Sequence, residues 1–264
     1  MQRVRDPVGV GKGRGVPGWV DALAWGLLGG SALVLGAAVA WFAAVPRQAI
    51  AAVMAFGSGV LISALAFDLV GQAVVTGGVL ATVGGFLAGA VVYVLASVAL
   101  ARRGARHRKR SGKQPSEAQQ SGSGAAIAVG ALLDGIPESV VLGVGLLGGG
   151  TVSTAVIAAV FISNVPEGLS SAAGMRQAGR SARYVFGVWS GIALASGVAA
   201  AVGYLALGGA SPELVAVITA VAAGAILTMV ADTMIPEAFE STHVLTGLIT
   251  SVGFLTAFVI SRLG

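Results

Sequence analysis

Seven carboxylates of this chain stand out in or beside its long apolar stretches: Asp68, Asp134, Glu138, Glu167, Asp232, Glu237 and Glu240. An ionisable side chain in hydrocarbon is costly, so each is by default a candidate for function. Three of them share a repeated pattern, Asp134-Gly135-Ile136-Pro137-Glu138-Ser139 and Ser163-Asn164-Val165-Pro166-Glu167-Gly168. A polar residue four before Glu puts both on one helix face. The intervening Pro removes an N–H and frees the carbonyl four residues earlier, Leu133 or Ile162, which a membrane tolerates only where the backbone is buried or wet. Asp134, Glu138 and Glu167, with Asn164 and Ser163, offer three carboxylates and two neutral oxygen-bearing groups, a hard ligand set suited to a divalent cation. No Lys or Arg lies within the apolar stretches to neutralise them. The cavity is therefore expected to hold a metal ion, protons, or each in turn.

The remaining ionisable residues are candidates for a pathway to this cavity. Asp232 precedes a third Pro-Glu pair, Pro236-Glu237, and lies one turn deeper than Glu237. Asp68 is placed to attract cations at the opposite mouth or to sit at headgroup level. His243 follows the same stretch as Glu237, where it is an exit ligand or a plain loop residue, and His107 belongs to a basic loop.

The elements that must position these groups are membrane helices. Hydrophobic residues make up 56% of the 264 positions and charged residues only 10%, too few charges to cover a soluble surface. Apolar runs near 20–45, 50–70, 78–101, 125–148, 151–175, 184–208, 213–236 and 244–262 each approach the roughly 20 residues that cross a ~30 Å hydrocarbon core. They are too long and too uniformly apolar for barrel strands. The expectation is an all-α integral membrane protein of eight transmembrane helices. Residues 1–19 form an external basic tail, 20–101 carry helices 1–3, 102–124 form a basic flexible cytoplasmic loop, and 125–264 carry helices 4–8. The first run is too long for a ~7–15-residue signal core. With the N-terminus outside, inner loops carry eleven Lys and Arg against five outside, so the positive-inside rule puts both termini outside the cytoplasmic membrane. The loop could also touch anionic lipid.

With no Cys in the chain, disulfides, thiolate metal sites and Cys nucleophiles are excluded. The net charge of +5 sits in short loops, which argues for topology rather than nucleic acid. Gly26/Gly30, Gly85/Gly89, Gly145/Gly149 and Gly187/Gly191 have the GxxxG spacing of close helix contacts. Two aspartates in different spans raise the thought of an intramembrane aspartyl protease. The residues before Asp134 and Asp232, Ala131-Leu132-Leu133 and Met229-Val230-Ala231, lack that family's Gly-x-Gly-Asp, and no enzyme or prosthetic group is expected.

The order of these motifs resembles the ZIP (Zrt/Irt-like) family of divalent metal transporters, in particular its bacterial GufA-like branch. Besides the two Pro-Glu motifs and the long loop after the third span, the likeness rests on three further stretches. They are Phe56-Gly57-Ser58-Gly59-Val60-Leu61 leading to Asp68, Ser190-Gly191, and Ala223-Gly224-Ala225 leading to Ile235-Pro236-Glu237-Ala238. The resemblance implies a bundle of pseudo-symmetric repeats, a homodimer, and inward movement of metal by an elevator-like shift of the site-bearing spans. It also implies that Asp134 stands at a ligand position usually held by His, Gly135 at one held by Asn, and Glu138 at a bridging Glu. Ser163 stands at a polar ligand position, while Asn164 and Glu167 match the pattern. Leu61 stands where Met is frequent, and Leu194 replaces a Glu of a second metal site. The departures argue against a complete two-metal centre. An all-oxygen set shifts the expected cargo towards Mn²⁺, Fe²⁺ or Mg²⁺, with Zn²⁺ still accommodated by carboxylates. The alternatives are a ZIP-like metal sensor that no longer transports and a carrier for a different cationic substrate.

Overall fold

In the computed structural model, residues 16–112 and 114–263 are described, and all their regular structure is helical, with no strand. Most of the basic N-terminal tail and Lys113 lie outside the described residues. The elements in order are α1 (Gly18–Phe42), α2 (Arg47–Ala64), a π-turn (Leu65–Leu69), α3 (Val70–Ala101), α4 (Ser123–Val144), α5 (Thr154–Gln177), α6 (Ala182–Leu207), α7 (Pro212–Met229), a second π-turn (Val230–Met234), α8 (Ile235–Thr242) and α9 (Leu245–Leu263). Among the described residues, seven helical runs are long and apolar enough to cross a membrane. One of them, Arg47–Ala101, is 55 residues long and is broken at Gly78, whose φ of 81° and ψ of 170° suit a residue without Cβ. Large apolar side chains such as Val75, Leu80, Leu95 and Leu248 stand exposed around the bundle, a surface suited to lipid rather than water.

Helix contacts sort the elements into two groups. In one, α1 lies against α5 and α6, and α6 against α4; in the other, α3 lies against α7, and α2 against α9 and α8; the two meet where α2 lies against α5 and α4 against α7. Backbones meet closely because glycines face carbonyls. A Cβ on Gly59 would overlap the Thr250 carbonyl and one on Gly253 the Phe56 carbonyl, fixing α2 on α9. Gly89 meets the Val221 carbonyl and Gly224 that of Phe86, fixing α3 on α7 in the same three-residue register. Each π-turn begins nine residues after the first residue of its helix's contact, Phe56 or Val221, and each carries one aspartate, Asp68 or Asp232. Of the GxxxG pairs, Gly26/Gly30 packs on α6 and Gly85/Gly89 on α7, whereas Gly187 and Gly191 face open space and Gly149 (φ 78°) sits in a turn.

Apart from Arg262, the described basic residues gather at one end. Arg47 meets Gln177, Arg176 donates to the carbonyls of Ala40 and Trp41, and Arg180 pairs with Glu117. The segment between α3 and α4, expected as a solvated flexible loop, is folded onto the bundle there. It makes a 3-10 turn at Ala105–His107, and Ala105, Arg108 and Lys109 are buried. Helix α4 starts at Ser123. What draws the segment inward is the charge of the site.

Candidate functional site

Helices α4 and α5 run unbroken through Pro137 and Pro166, and the three carboxylates of the repeated motif are almost fully buried: Asp134 1%, Glu138 2% and Glu167 3% exposed. The sequence offers no cation within the spans, yet the cluster is not without one, because the loop delivers two. Arg108 grips Asp134 with Nε to Oδ2 at 2.8 Å and Nη2 to Oδ1 at 2.9 Å, the two-point geometry that guanidinium and carboxylate favour. Tyr93 Oη in α3 donates to Asp134 Oδ1 at 2.5 Å and accepts from Arg108 Nη2 at 2.7 Å. Lys109 Nζ lies 2.8 Å from Glu167 Oε2 and 3.4 Å from Asp134 Oδ2. These buried charges persist because they are paired; an isolated one would be strongly disfavoured.

The same strand of loop reaches the second helix group. Arg110 pairs with Glu237, Nε to Oε2 at 3.6 Å, and with Glu240. The Ser111 N–H donates to Glu237 Oε1 at 2.8 Å. Ser170 Oγ in α5 donates to the Lys109 carbonyl at 2.7 Å and lies 3.1 Å from Glu237 Oε1. Gln114 Nε2 holds the carbonyls of Arg108, Arg110 and Ser171 at 3.0, 3.0 and 3.1 Å. Two glycines make room for the segment. A Cβ on Gly130 would meet the Arg108 side chain, and one on Gly174 the Arg110 carbonyl.

Glu138 lies beyond the reach of these pairs. Its Oε1 has no hydrogen-bond partner, and it borders a void of about 10 Å³ walled by Leu61, Leu65, Leu69, Val141, Val156 and Ile226 among others, barely the space of one water. Apolar side chains thus close the site on the side away from the loop. A wider apolar crevice of about 260 Å³ lies between the helix groups, lined by Tyr93, Leu133, Ile136, Pro137, Ile218 and Val221 among others.

The other expected site residues are placed differently. Asn164 Nδ2 donates to the Gly29 carbonyl at 2.9 Å and Ser163 Oγ to the Val160 carbonyl at 3.0 Å; among the described residues neither hydrogen-bonds to a carboxylate. Asn164 ties α5 to α1, so its motif position serves helix packing. Glu237, expected on the pathway to the cavity, is buried beside the loop. Asp68 is half-buried at the far end of α2 near Arg262, with Oδ2 unpaired. Asp232 is exposed on the bundle surface. His243 is exposed and ends α8 with a φ of 45°, apart from the carboxylates. Residues that sequence reasoning missed are Tyr93, Arg108, Lys109, Arg110, Gln114 and Ser170. Their one signal was the mismatch between buried carboxylates and absent in-span cations. Among the described residues, no group of three or more His, Asp or Glu side chains is arranged to hold a metal ion. No protein-family model matches the chain, and no curated protein matches it.

Proposed function

We propose that this chain is a divalent-cation carrier of ZIP-like type, moving its cargo inward across the cytoplasmic membrane by alternating access through Asp134, Glu138 and Glu167. The observation that carries the reading is a set of three buried carboxylates on two Pro-containing helices whose counter-charges come from a loop rather than from the spans. Counter-charges brought by a loop can leave with it, and the carboxylates then need a cation from elsewhere. In this reading the 55-residue run folds back at Gly78, because a helix of that length would measure about 80 Å, and the chain makes eight passes with both termini outside. The matched registers of α2 on α9 and α3 on α7, and the π-turns at equal distances from them, support pseudo-symmetric repeats. Such repeats give a carrier two equivalent closures around one site. The group α1, α4, α5 and α6 would move against the group containing α2, α3, α7 and α9, the latter forming a homodimer. Asp68 recruits cations at one mouth; Asp232, Glu237 and His243 line release at the other. Asn164 and Ser163 complete coordination after rearrangement. The oxygen ligands favour Mn²⁺, Fe²⁺ or Mg²⁺ and admit Zn²⁺.

One observation favours a second reading, a ZIP-like cation sensor without transport: Arg108 and Lys109 already neutralise Asp134 and Glu167. Uptake of Mn²⁺, Zn²⁺, Fe²⁺ and Mg²⁺ into proteoliposomes, with and without a pH gradient, separates the two. The carrier reading expects saturable uptake of at least one ion, lost in Glu138→Ala and Glu167→Ala at matched reconstitution. Binding without uptake in folded protein would favour the sensor.

A further inference from the structure

We infer that the segment Arg108-Lys109-Arg110 is a displaceable internal cation that competes with the divalent ion for its site and, while seated, locks the two helix groups together. The inference rests on the carrier or sensor reading of the site, in that it supposes a divalent ligand for the carboxylates.

Charge is the first argument. Arg108 and Lys109 bring two positive charges to Asp134 and Glu167, the charge of one divalent ion. Exchange of the segment for such an ion therefore leaves the charge balance of the buried cluster unchanged, and neither state leaves Asp134 or Glu167 uncompensated in a low-dielectric interior. A monovalent ion would leave one charge unmatched.

Fit is the second. Arg108 is held on two oxygens of Asp134, but the Lys109 ammonium, 3% exposed, makes no well-directed hydrogen bond to either carboxylate it approaches, and Glu138 Oε1 has no partner at all. The cations satisfy the cluster's charge and leave its donor and acceptor geometry incomplete. An ion with several coordination positions can engage the oxygens that the segment leaves unused.

The third argument is the seat. Gly130 and Gly174 open space for Arg108 and for the segment's backbone, and Gln114 and Ser170 fix its carbonyls. The segment spans the seam: Arg108 and Lys109 bind α4 and α5, while Arg110 and Ser111 bind Glu237 in α8. Its departure therefore frees the site and the relative motion of the groups in one step. A tethered competitor acts at a high effective concentration, and the apparent affinity for the ion falls by the fraction of molecules with the segment withdrawn.

The test uses the full chain in lipid nanodiscs, with Mn²⁺ alone as the probe and equilibrium binding as the readout. Arg108→Gln/Lys109→Gln is expected to bind Mn²⁺ on the order of tenfold more tightly than the wild type. Gly174→Ala, which crowds the seat and leaves every charge in place, is expected to shift affinity in the same direction. Because the chain has no cysteine, Ala105→Cys, at a position with no exposure, reports seating directly. Its thiol should react slowly with a bulky maleimide without Mn²⁺ and several-fold faster at saturating Mn²⁺. This readout retains both cations, so it decides the matter even where the double variant does not fold. Equal Mn²⁺ affinity in wild type and variants, or labelling that ignores Mn²⁺ in protein that binds it, overturns the inference and leaves the carrier reading standing. Absence of Mn²⁺ binding in every folded chain, the double variant included, overturns the inference, and the carrier reading falls with it only if Fe²⁺, Mg²⁺ and Zn²⁺ also fail to bind.

Discussion

Asp134 accepts from Tyr93 and from two nitrogens of Arg108, with Lys109 beside it, and the whole arrangement is out of water. Tyr93 comes from α3, as does Ser97, which accepts from Arg108 Nη2 at 3.2 Å, but Tyr93 is the one that touches Asp134 and so joins the carboxylate of one helix group to the wall of the other. Replacing it by Phe removes one hydrogen bond from Asp134 Oδ1 and one from Arg108 Nη2, while Nη2 keeps Asp134 and Ser97 as partners; a hydrogen bond to a charged group is worth about 1.5–3 kcal/mol. Tyr93→Phe should therefore lower the apparent Tm, while Tyr204→Phe, with no side-chain hydrogen bond among the described residues, should change it far less; equal shifts would show that the Tyr93 hydroxyl carries nothing. The three carboxylates were legible because each is a charge in apolar sequence. Tyr93 was not, since an aromatic residue in a span is ordinary and its hydroxyl matters only once Arg108 is beside it. Ser163 and Asn164 were legible as polar, but not in direction, because a side chain on the right helix can still turn to Val160 or Gly29.

At the scale of elements, the loop and the start of α4 are joined by Glu117. Its carboxylate accepts from Arg180 Nη1 at 2.8 Å and from the N–H groups of Gly122 and Gly124 at 2.9 and 3.1 Å, placing a negative charge at the positive end of α4. The Arg180 hydrogen bond first, then those N–H groups, hold its pKa down from the ordinary 4.5 to about 2. A carboxyl depressed on folding contributes stability above its unfolded value and loses it as pH falls towards the folded one. Between pH 4.5 and about 2 the loop should detach progressively, seen as rising mobility of a nitroxide spin label carried at the exposed loop position Ala118→Cys, and Glu117→Gln should flatten that dependence. Glu117 is about half exposed, so the change is modest; an identical pH profile in both chains would rule it out. The helices themselves were largely readable from apolar runs, but the runs at 50–70 and 78–101 lie in one 55-residue helical stretch broken at Gly78, so seven spanning runs stand among the described residues where eight were expected. The folded loop was not readable, because Arg, Lys, Ser and Gln in sequence look solvated until buried carboxylates offer them partners. Close glycine contacts were half readable. Gly26/Gly30 and Gly85/Gly89 matched the GxxxG spacing, but Gly59, Gly224 and Gly253 make comparable approaches without it.

On the scale of the whole molecule, the seam between the helix groups decides whether the bundle is a machine or a block. Glycine-to-carbonyl contacts within each group leave little room for sliding there. The seam itself holds the segment Arg108-Lys109-Arg110 near one end and the apolar crevice of about 260 Å³ beside Pro137 and Tyr93. Packed interiors resist continuous deformation, so motion is expected where packing is already incomplete. A carrier that shifts α4 and α5 past α7 must change the shape of this crevice during each cycle. Ile136 lines it from α4 and is 42% exposed, so a larger side chain at that position enters the crevice without displacing the buried core. Ile136→Trp should therefore leave Mn²⁺ affinity nearly unchanged while lowering the maximal uptake rate on the order of tenfold, the signature of a blocked conformational step rather than a damaged site. The same substitution placed on the outward face of α9, Leu255→Trp, should do neither. Uptake at the wild-type rate with the crevice filled would mean that the two groups do not slide along this seam.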